Sequence, residues 1–172
     1  MESSFVFYIN QFHYSRIDGI INFISDLSTP LLIINALLAL VLGYRNQNKQ
    51  QKSMGIFLIV AFSINALSTT LLKHFTERIR PFHVNEMIDK LGSGGSFSFP
   101  SGHSADAILL GMVVLHFYQE TSIKVFAIAW MILIPLTRIY LGVHYFTDII
   151  GSFILATISI EFAKKIVSKI SL

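Results

Sequence analysis

Apolar residues group into long runs separated by short polar breaks. Five stretches, 27–44, 54–75, 103–119, 122–141 and 146–166, are predominantly apolar. The hydrocarbon core of a bilayer takes about 20 such residues per helix, with a range of about 17–25. Each stretch therefore predicts a membrane-crossing helix. The first 26 residues follow a different pattern. Ile17, Ile20, Ile21 and Ile24 recur at i, i+3, i+4 and i+7, and so do Phe5, Tyr8, Ile9 and Phe12. That spacing is one face of a helix. With His13, Arg16 and Asp18 between them, the two groups predict short amphipathic helices in the membrane interface. A sixth, weaker span is the competing reading. No internal repeat interrupts the pattern. The expected organisation is one all-α integral membrane domain over 1–172: an interfacial segment 1–26, a five-helix transmembrane bundle 27–166, and an extracytoplasmic loop 82–99.

Composition agrees. Hydrophobic residues make up 53% of the 172, charged residues only 13%, and mean hydropathy is +0.62. A chain this short cannot bury that much apolar surface in a water-facing globule. The net charge of +3 is too mild to argue for nucleic acid. There are no cysteines, which excludes thiolate chemistry and disulfides. The N-terminus, Met1-Glu2-Ser3-Ser4, lacks the basic start of a signal peptide, so insertion is expected to rely on the spans.

Charge also orients the bundle. The connections 45–53 and 120–124 and the C-terminal tail hold Arg45, Lys49, Lys52, Lys124, Lys164, Lys165 and Lys169. The positive-inside rule places that face in the cytoplasm. The long connection after the second span and the short one before the fifth then lie outside.

Costly residues gather at that outer face. Lys73 and Arg80-Pro81 end the second span, and Pro100-Ser101-Gly102-His103 opens the third. Thr137-Arg138 ends the fourth, and His144 and Asp148 open the fifth. Ionisable groups at membrane depth are rare and usually functional. Lys73, Arg80 and Arg138 supply three fixed positive charges, and guanidinium groups fork onto phosphate oxygens. Ser101 and Gly102 precede a helix N-terminus, where backbone N–H groups and the dipole favour an anion. Together they predict a receptacle for a tetrahedral oxyanion. The Gly92-Ser93-Gly94-Gly95 run is no P-loop, because no Gly-Lys-Ser/Thr follows. It reads, with Ser96, as a flexible linker placed over the site.

His144 and Asp148 are four residues apart and share a helix face. The carboxylate can take the Nδ1 proton and fix the tautomer, leaving the other nitrogen to attack phosphorus. His103, on another helix, can protonate the leaving oxygen. The chemistry predicted is phosphoryl transfer to His144 followed by hydrolysis. Asp106 is read as an acid at a helix N-terminus rather than a catalyst. Asn35 and Asn65 are read as hydrogen bonds between helices, and His116 as remote from the site.

The arrangement resembles the type-2 phosphatidic acid phosphatase superfamily of membrane lipid phosphatases. Its signature appears as Lys73-x6-Arg80-Pro81, Pro100-Ser101-Gly102-His103 and Thr137-Arg138-x5-His144-x3-Asp148. Thr137 stands where that family usually carries Ser, and keeps the hydroxyl. The resemblance implies His144 as nucleophile, His103 as acid and Asp148 as orienter. Lys73, Arg80, Ser101, Gly102 and Arg138 would form the phosphate cradle. It further implies a reaction without metal or cofactor, on a lipid phosphate or diphosphate in the bilayer, with no required protein partner. Small bacterial members suggest undecaprenyl diphosphate, with phosphatidylglycerophosphate, phosphatidic acid or lipid A 1-phosphate as alternatives. A non-catalytic lipid-phosphate binder is the rival from another class.

Overall fold

The computed structural model describes residues 2–95 and 97–169. All regular structure there is helical: α1 (Glu2–Asn10), α2 (Ser15–Asp26), α3 (Ser28–Arg45), α4 (Lys49–Thr76), α5 (Pro81–Val84), α6 (Gly102–Phe117), α7 (Thr121–Tyr140) and α8 (Phe146–Val167). The helix ends follow from local chemistry. Asn48 accepts a hydrogen bond from Gln51 N at 3.0 Å and caps α4, which stops at Glu77 in the left-handed region (φ 45°). Ser101 caps α6, accepting from Ser104 N at 3.4 Å.

Among the described residues, four helices are long and apolar enough to cross a membrane: Ser15–Arg45, Lys49–Val84, Thr121–Tyr140 and Phe146–Val167. The sequence pattern predicts five, the first starting at 27. Two differences account for the gap. Only Leu27, itself near helical geometry (φ −69°, ψ −12°), separates α2 from α3, so the first apolar helix begins earlier, at Ser15. α6 has 16 residues, about 24 Å of helix at about 1.5 Å per residue.

α6 is apolar around its whole circumference because protein surrounds it. Nine of its residues, from Ser104 to Val113, are buried. A helix apolar on every side belongs in a core. Leu109 and Val113 meet Leu32 and Ala36 of α3, Phe57, Leu58 and Ala61 of α4, and Ala156, Ile160 and Ala163 of α8 in one cluster. Small residues let these helices approach, as is usual between membrane helices. A Cβ at Gly55 would lie 2.7 Å from Leu40 N, so α3 and α4 need glycine there.

One buried polar group ties this core together. Asp106 accepts from Thr29 Oγ1 of α3 at 2.5 Å and from Asn65 Nδ2 of α4 at 3.0 Å. Asn65 thus bridges helices as expected, and Asp106 holds three helices rather than only complementing a dipole. Asn35 does not bridge helices through its amide nitrogen, which donates back to Leu31 O of its own helix at 2.8 Å.

The two N-terminal helices form where the pattern puts them, and their apolar faces point outward. Phe5, Tyr8, Phe12, Ile17, Ile20 and Ile24 are exposed, while Asp18 and Ser25 are buried. In α2 the polar face is the one that packs on the bundle, whereas α1 packs through Asn10 and through Val6, which clusters with Ile88, Ile139 and Tyr145. This orientation suits a helix whose solvent is lipid. α1 and α2 pack on α7, and α2 continues into α3.

Candidate active site

Successive helices run up and down, so the ends of α2, α4 and α7 and the starts of α6 and α8 share one end of the bundle. There they surround a cavity of about 320 Å³, walled by Lys73, Arg80, Gly102, His103 and His144, with Ser93–Gly95 and Phe97 over it. Five of the eight residues singled out from the sequence therefore face one space. The other three stand behind the wall. Asp148 is fully buried behind His144. Ser101 is buried, its Oγ engaged by Ser104 Oγ at 2.8 Å. Arg138 is fully buried, donating to Ser25 Oγ at 2.8 Å and to Ser93 O.

His144 sits in the connection between α7 and α8. The turn leading to it needs Gly142, which has φ +73°, and a Cβ there would meet Asp89 O at 2.5 Å. The imidazole is 3.2 Å from Asp148 Oδ2 through Nδ1 and 3.2 Å from Arg80 Nη1 through Nε2. A carboxylate only accepts and a guanidinium only donates. The proton of a neutral ring therefore belongs on Nδ1, and Nε2 carries the lone pair toward the cavity. Burial pushes the His144 pKa down to about 3. The hydrogen bond that His144 donates to Asp148 opposes that shift, and the positive charges of Arg80 and Lys73 reinforce it. The ring is thus neutral.

Asp148 is held by more groups than the sequence suggests. Its Oδ2 also accepts from Tyr145 N at 2.9 Å and from Ser98 Oγ, and its Oδ1 accepts from Arg78 Nη1 at 2.6 Å. Arg78 lies over the Tyr145 ring at 4.1 Å and pairs with Glu2 of α1. Sequence reasoning singled out neither Arg78 nor Ser98. Arg78 falls within the six-residue gap of the first motif, where its charge was the only visible signal.

The cations point at backbone carbonyls of the covering segment. Lys73 Nζ donates to Phe97 O at 2.9 Å. Arg80 donates to Gly95 O at 3.0 Å, Phe97 O at 3.0 Å and Val143 O at 2.8 Å. The glycine-rich run expected as a flexible linker is packed: a Cβ on Gly94 would lie 3.1 Å from Arg80 Nη1, and Ser93 N donates to Asn22 Oδ1 at 3.0 Å. Glycine serves here as close approach of backbone to guanidinium. Ser96 of that run lies outside the described residues.

Fold and site together define an all-helical membrane protein with a pocket lined by cationic and imidazole side chains at one end of its bundle. Residues 52–171 match the PAP2 superfamily, and the chain belongs to it. It is 35% identical over 108 residues to phosphatidylglycerophosphatase B of Bacillus subtilis, covering 58% of this chain and 51% of that protein. It is 27% identical to the lipid A 4'-phosphatase of Porphyromonas gingivalis, covering 92% of this chain and 69% of that one. It is also 27% identical to the undecaprenyl-diphosphatase BcrC of Bacillus subtilis, covering 85% and 72%. The first of these matches spans about half the length of the relative. The crystal structure of a PAP2-type phosphatidylglycerolphosphate phosphatase from Bacillus subtilis superposes with a TM-score of 0.76 at 22% identity, covering 99% of this chain and 86% of that one.

Proposed function

We propose that this protein is a membrane lipid phosphatase that works through a phosphohistidine. The carrying observation is His144, with Nδ1 on a buried carboxylate and Nε2 directed at a cavity lined by Lys73, Arg80 and His103. The carbonyls now bound by Lys73 and Arg80 are neutral dipoles. A phosphate dianion offers these cations charge-assisted hydrogen bonds roughly twice as strong. Nε2 then attacks phosphorus, and the bond to the lipid-side oxygen breaks. His103 gives that oxygen a proton and later takes one from the water that attacks the phosphohistidine. Inorganic phosphate and the lipid short of one phosphoryl group are released. Arg138, behind the wall, braces Ser93 and enters the cradle when that segment moves aside. Ser101 and Gly102 present the N-terminus of α6.

α6 is the fifth crossing in this reading. It is shorter than the roughly 30 Å hydrocarbon core, but neighbouring helices enclose it. The basic connections are cytoplasmic, so the cavity faces the extracytoplasmic surface, at head-group depth. An apolar groove of about 350 Å³ between α1, α2 and α7, lined by Phe5, Ile9, Ile21 and Leu136, offers a path for a lipid chain. Undecaprenyl diphosphate is the substrate we favour. Phosphatidylglycerophosphate is the second reading, favoured by the 35% identical relative.

The test is phosphate release by purified protein in mixed micelles with EDTA. Undecaprenyl diphosphate, phosphatidylglycerophosphate, phosphatidic acid and lipid A would be compared, with His144→Ala alongside. Release that survives EDTA and disappears in the variant is expected. Tight lipid-phosphate binding by folded wild-type protein without any turnover would replace the enzyme by a binding protein.

A further inference from the structure

The mechanism above leaves unused a carboxylate at the edge of the cavity. Asp26 is the last residue of α2, and the α2–α3 junction carries it to the site. Its Oδ1 lies 3.1 Å from His103 Nε2 and 3.7 Å from Arg138 Nη1, and accepts from Ser93 Oγ at 2.5 Å. Its Oδ2 accepts from Asn22 Nδ2 at 3.1 Å. A cost attaches to this placement: a carboxylate beside a phosphate pocket repels the substrate. A compensating role is therefore called for, and its contact names one. His103 shares its pocket with Lys73 and Arg80, and Arg138 stands behind, all opposing a further positive charge on the ring. Asp26 is the carboxylate in contact with that imidazole.

We propose that Asp26 is a positioning residue for His103, orienting the imidazole and holding a proton on it until the leaving oxygen takes one. This rests on the reading of His103 as the general acid. With one N–H held on Nε2 by Asp26, the imidazolium gives up its Nδ1 proton. The P–O bond breaks with its electron pair on the leaving oxygen, that oxygen gains the proton, and His103 is left neutral. The N-terminal segment is thus part of the catalytic apparatus as well as a surface for lipid.

Leaving-group dependence separates this role from a structural one. An alkoxide leaving from a lipid phosphate needs a proton, whereas a nitrophenolate does not. The experiment measures kcat/KM of the full chain with EDTA on phosphatidic acid and on p-nitrophenyl phosphate. The variants are Asp26→Asn, Asp26→Glu and His103→Gln. General acids contribute about 10²–10⁴-fold. Asp26→Asn should lose about 10- to 100-fold on phosphatidic acid, a part of that contribution, and stay within about threefold on the aryl ester. Asp26→Glu should recover part of the loss, and His103→Gln should show the same selectivity more strongly. Asp26→Asn losing both substrates equally, or neither, while His103→Gln stays selective overturns the Asp26 proposal alone. A His103→Gln that loses both alike overturns the acid reading beneath it.

Discussion

Asp148→Asn is the most informative single change, because the carboxylate's hydrogen bonds leave the amide no good solution. Asp148 is fully buried and its two oxygens accept from His144, Tyr145 N, Ser98 and Arg78. An amide has one accepting oxygen and one NH₂ that only donates. With its oxygen in the place of Oδ2, the amide keeps Tyr145 N and His144 but presses NH₂ against Arg78, a donor 2.6 Å away. Flipped, it satisfies Arg78 but turns NH₂ on Tyr145 N–H and on His144 Nδ1. The ring must then carry its proton on Nε2, the attacking nitrogen, where it also meets Arg80 Nη1 at 3.2 Å. Either arrangement loses the negative charge that offsets the imidazole as it is phosphorylated. One charged hydrogen bond is worth about 1.5–3 kcal/mol. The corresponding Asp-to-Asn change in a serine-protease triad, where the tautomer is also wrong, costs about 10⁴-fold. The expected fall in kcat/KM is therefore about 10²–10⁴-fold, or about 2.7–5.4 kcal/mol at 1.36 kcal/mol per decade. The assay is phosphate release in mixed micelles with EDTA, on protein that elutes from size exclusion like wild type. A folded Asp148→Asn within about threefold of wild type would refute the orienting role.

Two further predictions follow from the same groups. Arg78→Ala removes one of four partners of a buried carboxylate and its link to Glu2. Activity should drop on the order of tenfold, and the loss should be non-additive with Asp148→Asn because the amide's clash disappears; simple additivity on a logarithmic scale argues against coupling. The His144 pKa of about 3 in the folded protein lies below the roughly 6.5 of a free imidazole. Between those values the unfolded chain binds a proton that the folded one does not. The group's stability contribution is thus whole above about pH 6.5 and is lost as pH falls toward about 3. Tm should fall more steeply from about pH 7.5 to about pH 5 in wild type than in His144→Asn, and parallel curves would remove the basis for a neutral buried nucleophile.

Much of this molecule is written in the order of its residues. Apolar runs specify membrane helices because lipid leaves a backbone no partner but itself. The four-residue spacing of His144 and Asp148 makes their contact local, although His144 stands just before the Tyr145 cap of α8 rather than on the helix face that the spacing suggests. The three motifs at helix ends needed only the alternation of spans to meet on one face. Other features depend on which surfaces pack together. The isoleucine stripe of α2 defines an apolar face, but sequence alone does not say that this face stays exposed on the bundle and that Asp18, Asn22 and Ser25 turn inward. Arg78 and Arg80 are two residues apart with the same charge; only the packing of the α4–α5 connection on α8 sends one to Asp148 and the other to the cavity. Asp26 lies 77 positions before His103, and nothing in its surroundings marks it. Long-range contacts of this kind arise where separate helices close on each other. Their partners are set by packing of the whole bundle, whereas helices, turns and i, i+4 pairs are set by a few neighbouring residues.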